Sequence, residues 1–103
     1  MLTVIETPNF IRTAASIWNA DEVQEFISYI AVNSDRGDVI QGTKSLRKIR
    51  WSRSGMGKRG GARVIYFVRT QLGEIVLITA FAKGETDSLP TAFLNRLKEF
   101  YDA

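Results

Sequence analysis

Arg63-Val64-Ile65-Tyr66-Phe67-Val68-Arg69-Thr70-Gln71, then Leu72-Gly73, then Glu74-Ile75-Val76-Leu77-Ile78-Thr79-Ala80-Phe81-Ala82-Lys83 is the stretch that decides the fold. Both runs are rich in β-branched and aromatic residues, and the glycine between them is a turn signal. They predict two antiparallel strands joined by a tight connection. Each run is apolar on nearly every residue, which is the pattern of a central strand covered on both faces.

Upstream, Leu46, Lys48 and Arg50 alternate with Arg47, Ile49 and Trp51, which predicts a third, half-buried strand. Ser52 to Gly61 holds four glycines and reads as a flexible hairpin connection. Leu2 to Glu6 reads as a short opening strand. Thr7-Pro8 then supplies a capping hydroxyl and a proline suited to the first helical position. Phe10, Ala14, Ile17 and Trp18 follow at helical spacing. Asp21 is the expected cap of a second helix with Val23, Phe26, Ile27 and Ile30 on one stripe. Asn33 to Thr43 reads as a loop. Downstream, Gly84 to Leu89 is polar, and Pro90 opens a final helix with Phe93, Leu94, Leu97 and Tyr101 on one face. The order strand, helix, helix, three strands, helix predicts an α+β fold. Its antiparallel β-sheet is a three-stranded meander with a short N-terminal strand, and the helices pack on one side. One domain is expected over 1–103.

Composition removes whole classes of chemistry. The chain has no cysteine, hence no disulfide framework and no thiolate nucleophile. It has no histidine, which excludes His-based zinc sites and Ser-His-Asp arrangements. Any catalysis belongs to Lys, Arg, Asp, Glu, Ser, Thr or Tyr, and no cofactor or metal is expected. The N-terminus lacks the basic start and long apolar run of a leader. The longest mainly apolar stretch, Ile75 to Ala82, is too short to cross a bilayer, so a soluble, cytoplasmic protein is expected.

Charge is segregated along the chain. From Val39 to Gly73 there are nine Lys or Arg residues and no acid, although the net charge is only +3. Residues 1–34 hold Glu6, Asp21, Glu22 and Glu25 against a single cation, Arg12. A local basic block on a small frame is the electrostatic footprint of a phosphate or nucleic-acid binder.

Three segments together resemble the RelE/ParE superfamily of bacterial toxins, nearest its HigB-type branch. They are Gly37-Asp38-Val39-Ile40-Gln41-Gly42-Thr43 leading into Leu46-Arg47-Lys48-Ile49-Arg50; Gly57-Lys58-Arg59-Gly60-Gly61-Ala62-Arg63-Val64-Ile65-Tyr66-Phe67; and Leu77-Ile78-Thr79-Ala80-Phe81-Ala82-Lys83-Gly84-Glu85. The resemblance implies a RelE-like toxin of a type II toxin–antitoxin system that cleaves messenger RNA in the ribosomal A site. It implies metal-independent attack of a ribose 2′-OH on the adjacent phosphorus, with Lys and Arg in place of two histidines. The implied partners are the ribosome, messenger RNA and a cognate antitoxin of the HigA kind with a helix-turn-helix domain. The toxin alone is expected to be a monomer, with no membrane partner.

The residue chemistry runs parallel to that expectation. A five-coordinate phosphorus gathers negative charge on its oxygens, which fixed cations stabilise. Arg63 opens a strand expected to be central, and its guanidinium suits two phosphate oxygens at once. Lys83 closes the next strand, so a hairpin brings the two to one sheet end. Lys58, among neighbouring cations that lower a lysine pKa, is the candidate base for the 2′-OH. Arg59 either neutralises the RNA backbone or tethers ribosomal RNA. Lys44, Arg47, Lys48, Arg50 and Arg53 are assigned to docking on RNA. Many relatives carry Tyr or His after the third strand, whereas this chain reads Lys83-Gly84-Glu85-Thr86-Asp87-Ser88. Glu85 or Asp87 is therefore either a proton donor or a helix cap or solvated loop acid, and Tyr66 is expected to pack in the sheet. Two other readings are a non-catalytic nucleic-acid-binding module and a ParE-like, gyrase-targeting toxin.

Overall fold

The structure, a computed structural model, describes residues 2–43, 45–51, 61–82 and 89–102. Its elements run β1 (Thr3–Glu6), α1 (Pro8–Ala15), α2 (Ala20–Val32), β2 (Asp38–Val39), β3 (Arg47–Trp51), β4 (Ala62–Arg69), β5 (Glu74–Ala82) and α3 (Thr91–Tyr101). The strands form one sheet in the order β1-β5-β4-β3-β2. The expected hairpin is its heart: β4 lies in the middle of the order, antiparallel to both β5 and β3.

The sheet is mixed, however, and not antiparallel throughout. The chain crosses from β1 through α1 and α2 before it forms the rest of the sheet, and β1 pairs parallel with β5, Thr3 opposite Glu74 and Glu6 opposite Leu77. A second departure concerns the helices, which cover both faces. One core joins Phe10, Ala14, Trp18, Phe26 and Ile30 of the α1–α2 region to Ile49, Val64, Tyr66, Ile75 and Leu77. The other joins Leu94 of α3 to Leu46, Ile65, Phe67, Val76, Ile78 and Phe81. Alternate residues of β3 and β4 enter different cores, as period-two geometry requires. This two-sided cover explains why β4 and β5 read as continuous apolar runs.

Local signals account for most boundaries. Thr7 caps α1 by accepting from the Phe10 amide at 3.1 Å, and Pro8 opens the helix. The cap of α2 is Asn19, not Asp21. Asn19 Oδ1 accepts from the Glu22 amide and the Glu22 carboxylate accepts from the Asn19 amide, both at 2.8 Å, a reciprocal capping box. The loop expected over 33–43 contains β2, a two-residue edge strand opposite Arg47 and Lys48. In α3, Leu94 is buried and Leu97 and Tyr101 pack against the second core, whereas Phe93 is exposed and leaves the expected stripe.

The β4–β5 ladder contains an irregularity that sets side-chain phase. Ile65 faces Thr79 but Tyr66 faces Leu77, so Ile78 is an extra residue on β5, a β-bulge. Side chains of α1 and its cap hold it: Thr7 Oγ1 donates to the Leu77 and Ile78 carbonyls (2.8 and 3.1 Å) and Asn9 Nδ2 to Ile78 O at 3.1 Å. One residue pair further on, Thr13 Oγ1 accepts from the Ala80 amide at 3.0 Å. Beyond Glu6, where β1 ends, these groups satisfy the edge of β5.

Candidate nucleic-acid interface

The β3–β4 register sets Arg50 directly opposite Arg63. Directly opposed residues point to the same face, with Cβ atoms about 4.5–5.5 Å apart in such ladders. That face is the one covered by α3, since Leu46 two positions before Lys48 and Ile65 two positions after Arg63 both enter the α3 core. Phe81 of β5, opposite Arg63, is buried beneath. Arg50 is exposed and Arg63 half-buried. Among the described residues neither is in an ion pair. Two like charges held abreast destabilise the ladder and attract an anion to the gap between them.

Lys48, two residues along β3, lies on the same face but has the acid Asp38 opposite it on β2. Edge strand β2 goes no further in that direction, which leaves the Arg50–Arg63 pair without a facing β2 residue. An aromatic chain fixes this end of β3 from the other face. Trp51 meets Phe26 edge-on at 5.4 Å and Tyr29 at 5.0 Å, and Phe26 stacks on Trp18 at 6.5 Å.

Two other cations of the basic block serve the fold. Arg47 lies on the α1–α2 face, and its Nη1 donates to Gly37 O at 2.6 Å and to Asp35 O at 3.4 Å. Arg69, at the far end of β4, bonds Tyr101 O at 2.6 Å and lies 3.2 Å from Asp102 and 3.6 Å from Glu74. Lys98 bonds Asp102 at 3.0 Å, and the Arg69 and Lys98 cations lie 5.6 and 4.9 Å from the Phe67 ring centroid. Tyr66 is fully buried: its hydroxyl donates to Ser34 O at 2.7 Å and accepts from the Gly37 amide at 3.0 Å. Burial, partly opposed by the Gly37 bond, pushes the Tyr66 pKa up from 10.0. It packs in the sheet, as its sequence position implied.

Ala62 pairs with Ala82, so the start of β4 and the end of β5 do lie abreast. Lys83 itself, together with Lys44, Arg53, Lys58, Arg59, Glu85 and Asp87, lies outside the described residues. What sequence reading did not bring out is the partnership of Arg50 with Arg63. Alternation already grouped Lys48 with Arg50, but only the register fixes which residue faces which. Among the described residues there is no cluster of acids able to hold a metal ion.

No protein-family model matches the chain. The class defined by fold and site is a small α+β protein with an arginine pair at one end of a central strand. Solved structures sharpen that class. A mutant E. coli RelE toxin in the free state superposes with a TM-score of 0.62 at 13% identity, covering 95% of this chain and 96% of its own. The isolated E. coli RelE toxin gives 0.61 at 10% identity over 97% of this chain and 99% of its own. In the intact E. coli RelBE toxin–antitoxin complex the matched chain gives 0.61 at 11% identity, over 82% of this chain and 100% of its own. The chain has the RelE toxin fold.

Proposed function

We propose that this chain is a toxin of a type II toxin–antitoxin system, of the HigB-type branch, and that it acts as a ribosome-dependent endoribonuclease on messenger RNA. The observation that carries the proposal is Arg50 set abreast of Arg63 on a RelE-like sheet. The pair offers two adjacent positive charges to one phosphate group.

In the proposed reaction the 2′-OH attacks the adjacent phosphorus as its proton passes to a base. The new O2′–P bond forms while the P–O5′ bond breaks, giving a 2′,3′-cyclic phosphate and a 5′-hydroxyl. Arg63, with Arg50 beside it, faces the phosphoryl oxygens, on which charge grows in the transition state. Lys83 is proposed as a second phosphate contact and Lys58, as the neutral amine, as the base. Protonation of O5′ falls to a donor for which Glu85 and Asp87 are candidates. No metal is required by this scheme. Lys48, with Lys44, Arg53 and Arg59, attracts RNA through its backbone charge. The chain is proposed to work in the cytoplasm, as a single domain and a monomer when free. Its proposed inhibitor is a cognate antitoxin of the HigA-like helix-turn-helix kind, by analogy with the complex formed by the structural neighbour.

The test is a reconstituted translation reaction with 5′-ends of messenger RNA mapped by primer extension. Wild-type chain should produce new ends at ribosome-occupied codons, and Arg63→Ala should reduce them about 10²–10³-fold. Intact transcripts with wild-type chain, in the presence of ribosomes, would leave a binding module or a gyrase-directed toxin.

A further inference from the structure

The face of the molecule away from the arginine pair carries two adjoining hollows on the α1–α2 hairpin. The first, about 330 Å³, is lined by Ile11, Ala14, Ala15, Trp18, Val23 and Ile27, with Glu6 at its rim. It exists because alanines stand where larger side chains would close the seam, and Ile11 is 53% exposed beside it. The second, about 430 Å³, is lined by Asp21, Glu25, Ser28 and Trp51. Gln24 belongs to both, so they flank a single exposed ridge of α2. Among the described residues, neither Asp21 nor Glu25 is in an ion pair.

The two hollows ask for different chemistry at a fixed spacing. The first takes an aliphatic side chain, which buries its surface against Trp18, Val23 and Ile27. The second takes a cation, which gains two carboxylates and the indole of Trp51. Surrounding charge selects the class of partner. Glu6, Asp21 and Glu25 are exposed acids that line the two hollows, so the surface bordering them favours a cationic segment over a phosphate.

We propose that the α1–α2 face is a docking surface for a protein partner, entered by an amphipathic segment that seats an aliphatic side chain in the apolar groove and a Lys or Arg against Asp21, Glu25 and Trp51. A partner seated there lies across the sheet from Arg50 and Arg63 and leaves them uncovered. The inference does not rest on the proposed RNA chemistry.

The only two tryptophans of the chain, Trp18 and Trp51, each line one hollow, so intrinsic fluorescence reads both. The probe is a synthetic helical peptide of about fifteen residues with leucines on one stripe and arginines on the next, alongside a twin with glutamates for arginines. The Leu/Arg peptide should give saturable changes from both tryptophans, separated with Trp18→Phe and Trp51→Phe. Filling the groove with the uncharged Ala15→Gln, or with Ala20→Gln at another alanine of its lining, should weaken it about tenfold. Asp21→Asn with Glu25→Gln should weaken it severalfold, with loss of its salt dependence. Ala15 and Ala20 are exposed, and an unchanged circular dichroism melt checks folding. Equal binding of the glutamate twin, indifference to the groove fillings, no saturation, or displacement of the peptide by a short RNA each overturns the proposal. Messenger-RNA ends measured with Ala15→Gln keep the two readings apart, since cleavage should be unaffected.

Discussion

Arg50 and Arg63 stand directly opposite one another on neighbouring strands, two positive charges abreast on one face of the sheet. A ladder built for stability alone does not place them so. Removing one charge relieves repulsion worth about 0.2–1 kcal/mol for a directly opposed pair. Arg50→Ala should therefore raise the melting temperature slightly while lowering messenger-RNA cleavage. Arg63→Ala should lower cleavage about 10²–10³-fold, the range seen when one fixed oxyanion donor is lost. A melt of Arg50→Ala below wild type would show that the pair is not under strain.

RNA binding should weaken linearly on a log–log salt plot, because each phosphate contact releases condensed counterions. Lys48→Ala and Arg50→Ala should each reduce the slope by about one unit on an RNA oligonucleotide. Arg47→Ala should leave the slope alone and lower stability instead, since its guanidinium is spent on Gly37 O and Asp35 O. Fluorescence anisotropy across a salt series measures the first effect, and thermal melts the second.

Tyr66 provides a test of the core beneath the loop that leads to β2. Tyr66→Phe leaves the Gly37 amide and the Ser34 carbonyl without their partner and should cost about 1–3 kcal/mol. Gly37→Ala should also destabilise, because an added Cβ would lie 2.5 Å from the Tyr66 hydroxyl oxygen. The pH dependence has a defined sign. The folded state holds the phenol proton more tightly than the unfolded state, so this contribution is complete below pH 10.0 and declines as pH rises above it. In alkaline titrations of the unfolding free energy, Tyr66→Phe should show a shallower decline than wild type.

Asp102 ties the last turn of α3 to Arg69 of β4 and to Lys98. Asp102→Asn should loosen that turn by about 0.5–1 kcal/mol, a modest effect because the groups are partly solvated. Hydrogen exchange should quicken over residues 97–101 and leave α1 and α2 unchanged. Global unfolding of the variant at room temperature would mean that α3 is essential to the sheet, against the single fully buried residue it contributes.

The hairpin of β4 and β5 was legible because unbroken apolar runs on both sides of a glycine admit few structures. The alternation from Leu46 to Trp51 likewise gave the correct faces of β3. The capping residue of α2 was misread because Asp21 and Asn19 are equally good caps by type, and only the reciprocal bond with Glu22 separates them. The parallel pairing of β1 was hidden because four residues carry too little pattern to show which edge they join. For the arginine pair, residue type and face were readable; its register depends on contacts across the sheet, which local sequence does not encode. Charge alone counted Arg47 and Arg69 in the basic block without showing what they touch, since ion pairs and carbonyl contacts arise only on folding.

The extra residue at Ile78 separates two settings of one strand. On one side of it, Leu77 and Ile75 face the α1–α2 core; on the other, Phe81 turns to the opposite face, beside Arg63. With uninterrupted alternation, Phe81, Leu77 and Ile75 would all share a face, and no choice of register would suit both ends. The bulge thus works as a gear between the part of β5 that packs and the part that borders the arginine pair. Deleting Ile78 would rotate one end against the other, so that a chain of the same composition, still able to collapse on one half, would carry its cationic end out of alignment.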